Sequence, residues 1–427
     1  MEPVSDARFA AALLEIIARR RTLKADQGAV TGTTTRVFKE LRGADVLAPQ
    51  TLKTEQSNTA ILYGDKLFMK LLRRLEPGMN TEIEVTRFLN DETSFRSTPR
   101  LAGALQYETT PSAEPSTLAI LQGYVESSGD AWNYTVDAIG RFFDSILSDS
   151  VATEQVTVTP SESLLAIAGK PWPDIAQQTI GLYLADAEIL GSRTAQMHMA
   201  LASRDDIAAF APEPITPHYQ RSIYQHIRSQ AVRTLQLLRR RGKGNADAEE
   251  LLAREAEIQQ RIRRILDGRI TGLRIRTHGD YHLGQVLHTG NDFIIIDFEG
   301  EPTRPLSERR IKRSALRDVA GMLRSFHYAP YAVLFGQSQH SVIRTEDLAA
   351  VENGARFWYR WVSAAFLRAY LAESAGAAHL PKTAEEVEVL LDAHLLEKAF
   401  YEIAYELNNR PDWLRIPLRG VLELLGR

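Results

Sequence analysis

Hydrophobic spacing divides the chain into a short β-rich part and a long helical part. Phe9, Leu13, Ile16 and Ile17 recur at helical intervals and predict an amphipathic helix over residues 1–20. Residues 21–50 are mixed, punctuated by Gly28, Gly32 and Gly43, with too few apolar positions for a core of their own. They read as a small cap resting on the strands after residue 50. Residues 51–73 predict three strands, with Ile61-Leu62-Tyr63, a Gly64-Asp65 turn and Leu67-Phe68-Met69-Lys70 as their clearest parts. A helix starts near Asn80-Thr81, after the Pro77-Gly78 turn. Residues 117–125 form a further apolar strand, and 135–270 read as mostly helical, broken over 151–174 by Pro160, Pro171 and Pro173. The stretch 219–268 reads as a helical pair interrupted at 241–245. Phe293-Ile294-Ile295-Ile296 is a short buried strand; with Val286-Leu287 and the 289–292 turn before it, it predicts a hairpin. Helices are expected over 319–326, 346–376 and 384–408.

The hairpin carries the chemistry. It brings Asp280, Gln285 and Asp297 to one end. A carboxylate and an amide can hold Mg²⁺ through hard oxygen ligands, leaving Asp280 free to accept a proton from an attacking hydroxyl. This is the division of labour in kinase-type phosphoryl transfer, where a catalytic-loop Asp is followed five residues on by Asn and then by a metal-binding Asp. Here Gln285 stands at the Asn position and Asp297-Phe298-Glu299-Gly300 at the Asp-Phe-Gly position. The joint spacing of His278, Asp280, Gln285 and Asp297 outweighs the alternative of solvated turns. Glu299 replaces the small residue expected after Asp-Phe, and is placed beside the metal or the acceptor.

Other residues gain meaning from that frame. The turn Gln56-Ser57-Asn58-Thr59 sits where a kinase covers the ATP phosphates, so Ser57, Asn58 and Thr59 are candidate phosphate contacts. Lys70, inside an apolar strand, is costly unless paired or at the solvent face. It is either the lysine that grips the α- and β-phosphates or an edge-strand solvating charge. Its helix partner is Glu82 or Glu84, and Glu84 is favoured because it shares an inward stripe with Phe88. Gln122, Tyr124 and Val125 form the expected hinge against adenine. Near the C-terminus, Lys398, Tyr401 and Tyr405 share one helical face, and Arg410 follows before Pro411 stops the helix. That face suits a sugar or an aromatic packing seam.

Composition narrows the field. The net charge of −3, without a basic tail, argues against a nucleic-acid partner. There are no cysteines, which excludes a disulfide scaffold and a cysteine nucleophile. No apolar run approaches the ~18 residues a membrane span needs, so a soluble cytoplasmic protein is expected.

The segments HGDYHLGQVL and IIIDFEGEP resemble the maltokinase family, sugar kinases of the aminoglycoside-phosphotransferase branch often fused to trehalose synthase. Gln56–Thr59, Gly129-Asp130-Ala131-Trp132 and the terminal Tyr405-Glu406-Leu407-Asn408-Asn409-Arg410-Pro411-Asp412-Trp413 extend the resemblance over nearly the whole chain. At the cap, Arg21-Thr22-Leu23-Lys24 departs from the family's Arg-Trp-Phe-Gly-Gly. The resemblance implies an α+β, bilobal, eukaryotic-protein-kinase-like fold. Its parts would be a cap over 1–50, a mainly β N-lobe over 51–125 holding ATP, and a mainly helical C-lobe over 126–427. It implies phosphoryl transfer from ATP, with Mg²⁺, to the anomeric hydroxyl of maltose, giving maltose 1-phosphate, with trehalose synthase as a possible partner. It places the disaccharide on Lys398, Tyr401 and Tyr405, and gives Asp318 a bracing role beneath the catalytic loop. The rival readings are a kinase of another small acceptor, such as glucosamine, and a non-catalytic module that binds trehalose synthase. The positive Lys398/Arg410 face disfavours polycationic aminoglycosides.

Overall fold

The structure, a computed structural model, describes residues 6–52, 58–110, 114–157, 162–335 and 348–426. The chain divides into two compact units. The first comprises residues 1–128, 278–280 and 294–311, and the second 129–277, 281–293 and 312–427. The fold is kinase-like, with a β-sheet N-terminal part and a helical C-terminal part, as the resemblance implied.

A seven-stranded antiparallel sheet organises the first unit, in the order β1-β2-β6-β7-β5-β4-β3. Its strands are β1 (Thr22–Ala25), β2 (Gly28–Thr34), β3 (Pro49–Leu52), β4 (Thr59–Tyr63), β5 (Leu67–Leu71), β6 (Leu101–Glu108) and β7 (Ser116–Gly123). The unit also holds α1 (Ala7–Ala18), α2 (Phe38–Arg42) and α3 (Thr81–Glu92). Residues 6–50 pack onto the strands that follow. β2 pairs with β6, and Ala10, Leu14 and Ile17 of α1 enter the same core as Ile61, Tyr63, Met69 and Leu121. Gly32 permits this packing, since a Cβ there would lie 2.3 Å from the Ile16 carbonyl oxygen. With no core of its own, the segment is stable only by completing its neighbour's. The first unit also takes 294–311, which was expected in the C-lobe.

The second unit is mainly helical. Its first helices are α4 (Ala131–Ser148), α5 (Ser150–Gln155), α6 (Leu164–Ala168), α7 (Asp174–Thr179) and α8 (Tyr183–Leu201). A short strand, β8 (Glu213–Pro214), precedes α9 (Pro217–Arg241), α10 (Ala246–Ala253) and α11 (Glu255–Arg263), and pairs with β9 (Leu273–Arg274). The predicted hairpin is the ribbon β10 (Val286–His288) with β11 (Phe293–Ile295). Arg193 of α8 grips the Asp292 carboxylate at its turn with two hydrogen bonds, of 2.8 and 2.9 Å. After the short α12 (Leu306–Arg309) of the first unit come α13 (Leu316–Leu334), α14 (Leu348–Glu373), α15 (Ala384–Asn409) and α16 (Arg415–Leu424).

α13 is buried on every side except at Arg317, as a helix at the centre of a core must be. Its polar groups therefore need partners. The buried Asp318 carboxylate lies 3.2 Å from His198 Nε2, and His198 Nδ1 lies 3.0 Å from the Tyr370 hydroxyl. Further along, Tyr331 donates a 2.6 Å hydrogen bond to Glu423, whose other oxygen lies 3.3 Å from His327 Nε2. Burial alone would raise the Glu423 carboxyl, but His327, Tyr331 and the Arg356 guanidinium together pull it down to about 2. A depressed carboxylate stabilises the fold above its unfolded pKa, and that stability is lost as pH falls through the folded value. We therefore expect the melting temperature to fall as pH drops from about 5 toward 2, with Glu423 contributing roughly 3 kcal/mol to the loss. Thermal unfolding of Glu423→Gln across that range checks this: the variant should be less stable at neutral pH and show a shallower acid limb.

Candidate active site

Four side chains of the first unit converge on one point. β5 carries Lys70 between Ala60 of β4 and Ile120 of β7, in the middle of the sheet. Its side chain is only 15% exposed, and its Nζ lies 3.1 Å from Glu82 Oε2. Asp297 and Glu299 also contact that ammonium. Burial works against the charge on Lys70, but the three carboxylates outweigh it and hold the ammonium protonated well above the ordinary lysine range.

The helix glutamate facing Lys70 is Glu82, not Glu84. Asn80 caps α3 by accepting from Ile83 N–H at 3.1 Å. Counting from that cap, the stripe buried against the sheet is Glu82, Val85, Thr86 and Leu89. Glu84 lies a little further round, on the side of Arg87 and Asp91, and binds Arg310 instead. Glu82 is fully enclosed and accepts a 3.0 Å hydrogen bond from Gln122 Nε2. Desolvation pushes its carboxyl up to about 7 against the pull of Lys70. The Gln122 side chain of β7 thus holds Glu82 of α3. Of the other predicted hinge residues, Tyr124 is exposed and donates its N–H to the Lys66 carbonyl at 2.9 Å, and Val125 is half-buried beside it.

The route from catalytic turn to acidic loop is tied by His278. A carbonyl can only accept, so the 2.8 Å contact with Ile296 O fixes the proton on Nε2. Nδ1 is then the acceptor for the Asp280 N–H at 3.4 Å. One imidazole thereby joins the turn bearing Asp280 to the strand end before Asp297. Gly279 (φ +89°) lies where a Cβ would meet Gly300 Cα at 3.2 Å, so these two backbones approach as only glycine allows. Asp297 itself has φ +68°, one of two non-glycine residues with positive φ among those described. Asp tolerates that region better than most residues but still at a cost, and the conformation turns its carboxylate onto Lys70.

One ammonium cannot neutralise three carboxylates. Oxygens of Glu82, Asp297 and Glu299 lie within 4.8 Å of one another. Hard oxygen donors with unbalanced negative charge fit a divalent cation of the Mg²⁺ type. Asp297 and Glu299, both only half-buried, are the accessible donors. Gln285 ends the 3₁₀ turn Leu283–Gln285 in the second unit. Asn58 Nδ2 lies 3.5 Å from Glu299, and Thr59 Oγ1 accepts from Arg73 at 3.2 and 3.3 Å. Ser57 lies outside the described residues. Sequence reasoning missed Thr81, whose hydroxyl donates to the Glu299 carbonyl at 2.7 Å. Its position next to an N-cap Asn was the available signal.

In the second unit, α15 bears the predicted acceptor face. The Tyr401 and Tyr405 rings stack with centroids 6.3 Å apart. Lys398 Nζ lies 5.1 Å from the Tyr401 centroid, and the Arg410 guanidinium packs between Tyr405 and Trp413 at 5.4 and 4.5 Å. Arg410 also holds the buried Glu406 through hydrogen bonds of 2.8 and 3.0 Å.

Comparison with known proteins agrees with this architecture. Residues 173–300 match the phosphotransferase enzyme family, APH. A glucosamine kinase of Streptacidiphilus jiangxiensis is 24% identical over 90% of this chain and 74% of its own length. A second, of Mycolicibacterium smegmatis, is 23% identical over 88% and 79%. A solved glucosamine kinase in complex with glucosamine, ADP and inorganic phosphate superposes with a TM-score of 0.67, at 21% identity, covering 98% of this chain and 83% of that one. A second crystal form of a glucosamine kinase gives 0.66 at 20% identity, over 98% and 86%. The chain thus has a kinase-like fold, in which residues 173–300 are similar to the APH phosphotransferase family.

Proposed function

We propose that the chain is an ATP-dependent kinase of a small sugar and that its acceptor is glucosamine. The observation that carries the reading is the Lys70–Glu82 pair with Asp297 and Glu299 against the same ammonium. That is the equipment for gripping a triphosphate: a lysine for the phosphates, a glutamate that holds it, and acidic oxygens for the accompanying cation. The relatives' name, glucosamine kinase, supports the amino sugar over maltose. The positive face of α15, which disfavours a polycationic aminoglycoside, is no bar to a singly charged amino sugar, because Glu406 offsets the Arg410 charge.

The roles rest on the chemistry of each residue. Lys70 draws the nucleotide phosphates to the sheet, and Glu82, locked by Gln122, keeps the ammonium in place. Asp297 and Glu299 would hold Mg²⁺, which when bound neutralises phosphate charge. Asp280 takes the proton from the attacking sugar hydroxyl as its oxygen bonds to the γ-phosphorus and ADP leaves. Tyr401 and Tyr405 present ring faces to sugar C–H groups, and Lys398 and Arg410 supply donors.

An ADP-release assay over glucosamine, maltose, glucose and kanamycin tests the acceptor. Release with glucosamine is the expected result. Release with maltose alone would return the acceptor to the maltokinase reading, and release with none of them would sink the assignment. Tyr401→Ala should raise the KM for the sugar roughly tenfold while leaving the KM for ATP unchanged. An equal rise in both would remove α15 from the acceptor site.

A further inference from the structure

The segment after Asp297-Phe298-Glu299-Gly300 is fastened to α3 at two places. At its start, the Thr81 hydroxyl donates to the Glu299 carbonyl at 2.7 Å. At its end, Arg310 grips Glu84 with two hydrogen bonds, Nη2 at 2.6 Å and Nε at 3.1 Å. Between them the loop is folded by Arg309, which is nearly buried. Its Nε donates to Arg304 O at 2.7 Å, its Nη2 to Pro302 O at 3.0 Å, and the same Nη2 lies 3.3 Å from Glu76. The two fastening points on α3 are three residues apart, less than one turn. Glu82, the partner of Lys70, lies between them.

This arrangement gives Glu84 a use that the Lys70 pairing does not. A helix held at positions 81 and 84 can neither rotate nor slide without carrying Glu82 away from Lys70. The Glu84 side chain is 12% exposed and that of Arg310 42%, and two bonds to one guanidinium make this half-shielded contact directional. We infer that Arg310, acting through Glu84 and together with the Thr81–Glu299 bond, is a positioning residue that sets the placement of α3 and thereby the nucleotide-binding geometry of Lys70. The inference rests on the reading of Lys70 as the phosphate-gripping lysine. It makes the 299–311 segment part of the nucleotide site without contact between Arg310 and the nucleotide.

The test uses the full-length protein and compares Arg310→Met, Glu84→Gln, the charge-exchanged double variant Glu84→Arg/Arg310→Glu, and Lys70→Met. ADP affinity by calorimetry, the KM values for ATP and sugar, and the melting temperature are read for each. Arg310→Met and Glu84→Gln should each raise the ADP dissociation constant and the KM for ATP about tenfold, with the KM for sugar unchanged. The exchanged pair should recover most of that loss, which a merely structural role would not predict. If Arg310→Met fails to fold, Glu84→Gln carries the comparison. Unchanged ADP affinity in Arg310→Met and Glu84→Gln, while Lys70→Met loses it, overturns the clasp and leaves the lysine reading standing. Unchanged affinity in Lys70→Met overturns both. Equal rises in the KM for ATP and for sugar reduce the clasp to a general stabilising contact and also overturn it.

Discussion

Asp280→Asn is expected to bind ADP as the parent does and to turn over its acceptor ~10²–10⁴ times more slowly. The substitution preserves shape and removes only the ability to take a proton. Asp280 belongs to a turn whose backbone is fixed independently of its side chain, by His278 against Ile296 O and by the close approach of Gly279 to Gly300. The fold should therefore survive the change, and the nucleotide cluster around Lys70 should not sense it. The loss should fall on kcat with both KM values near those of the parent, the pattern of an interaction made only in the transition state. Steady-state kinetics with ADP calorimetry on the same preparation check this. Parent-like turnover would remove Asp280 from the role of base, and a matching loss of ADP affinity would make it part of the nucleotide site instead.

Much of this architecture can be read from local pattern. The α3 N-cap, the strand bearing Lys70 and the hairpin before Asp297 each depend on residues a few positions apart: Asn80 with Ile83, the alternation 67–70, and the apolar run 293–296. The kinase-like fold was implied by the resemblance that the motifs around Asp280 and Asp297 carry. What pattern could not give is which of two neighbouring residues faces inward once tertiary contacts compete. Glu82 and Glu84 both lie in the first turn of α3, and Glu84 with Phe88 makes a plausible stripe. The choice is decided by Gln122 and Lys70 on one side and Arg310 on the other, and Arg310 lies 226 residues away in sequence. How residues 6–50 join the sheet is hidden for the same reason. β2 pairs with β6, a strand more than 60 residues later that carries no strong signal of its own. The acceptor is illegible for a different reason. A face of Lys398, Tyr401, Tyr405 and Arg410 shows apolar rings and donors, which any small sugar can use. Glu406 pairs with Arg410 four residues on and offsets its charge, which the residue types alone do not reveal.

Lys70→Met is expected to cost about 3 kcal/mol of stability, in addition to abolishing high-affinity nucleotide binding. The ammonium is the shared counter-charge of Glu82, Asp297 and Glu299, and Glu82 is wholly buried. Methionine fills similar volume but leaves those carboxylates facing one another without compensation. Breaking a buried pair in this way costs far more than the pair contributes over an apolar replacement, because the carboxylate left behind must stay uncompensated or take up a proton, as Glu82, already near 7 beside the ammonium, is poised to do. Adding Glu82→Gln to Lys70→Met removes that charge and leaves the side chain able to accept from Gln122 still. The double variant should regain most of the lost stability without regaining nucleotide affinity, since the lysine that meets the phosphates is still missing. Thermal denaturation and ADP calorimetry on the two single variants and the double variant separate these effects. If Lys70→Met matched the parent in both, Lys70 would be a solvating charge on the sheet and the phosphate site would have to lie elsewhere. If the double variant recovered ADP affinity along with stability, the nucleotide would be held by the shape of the fold, and the ammonium would serve only to balance the acidic cluster.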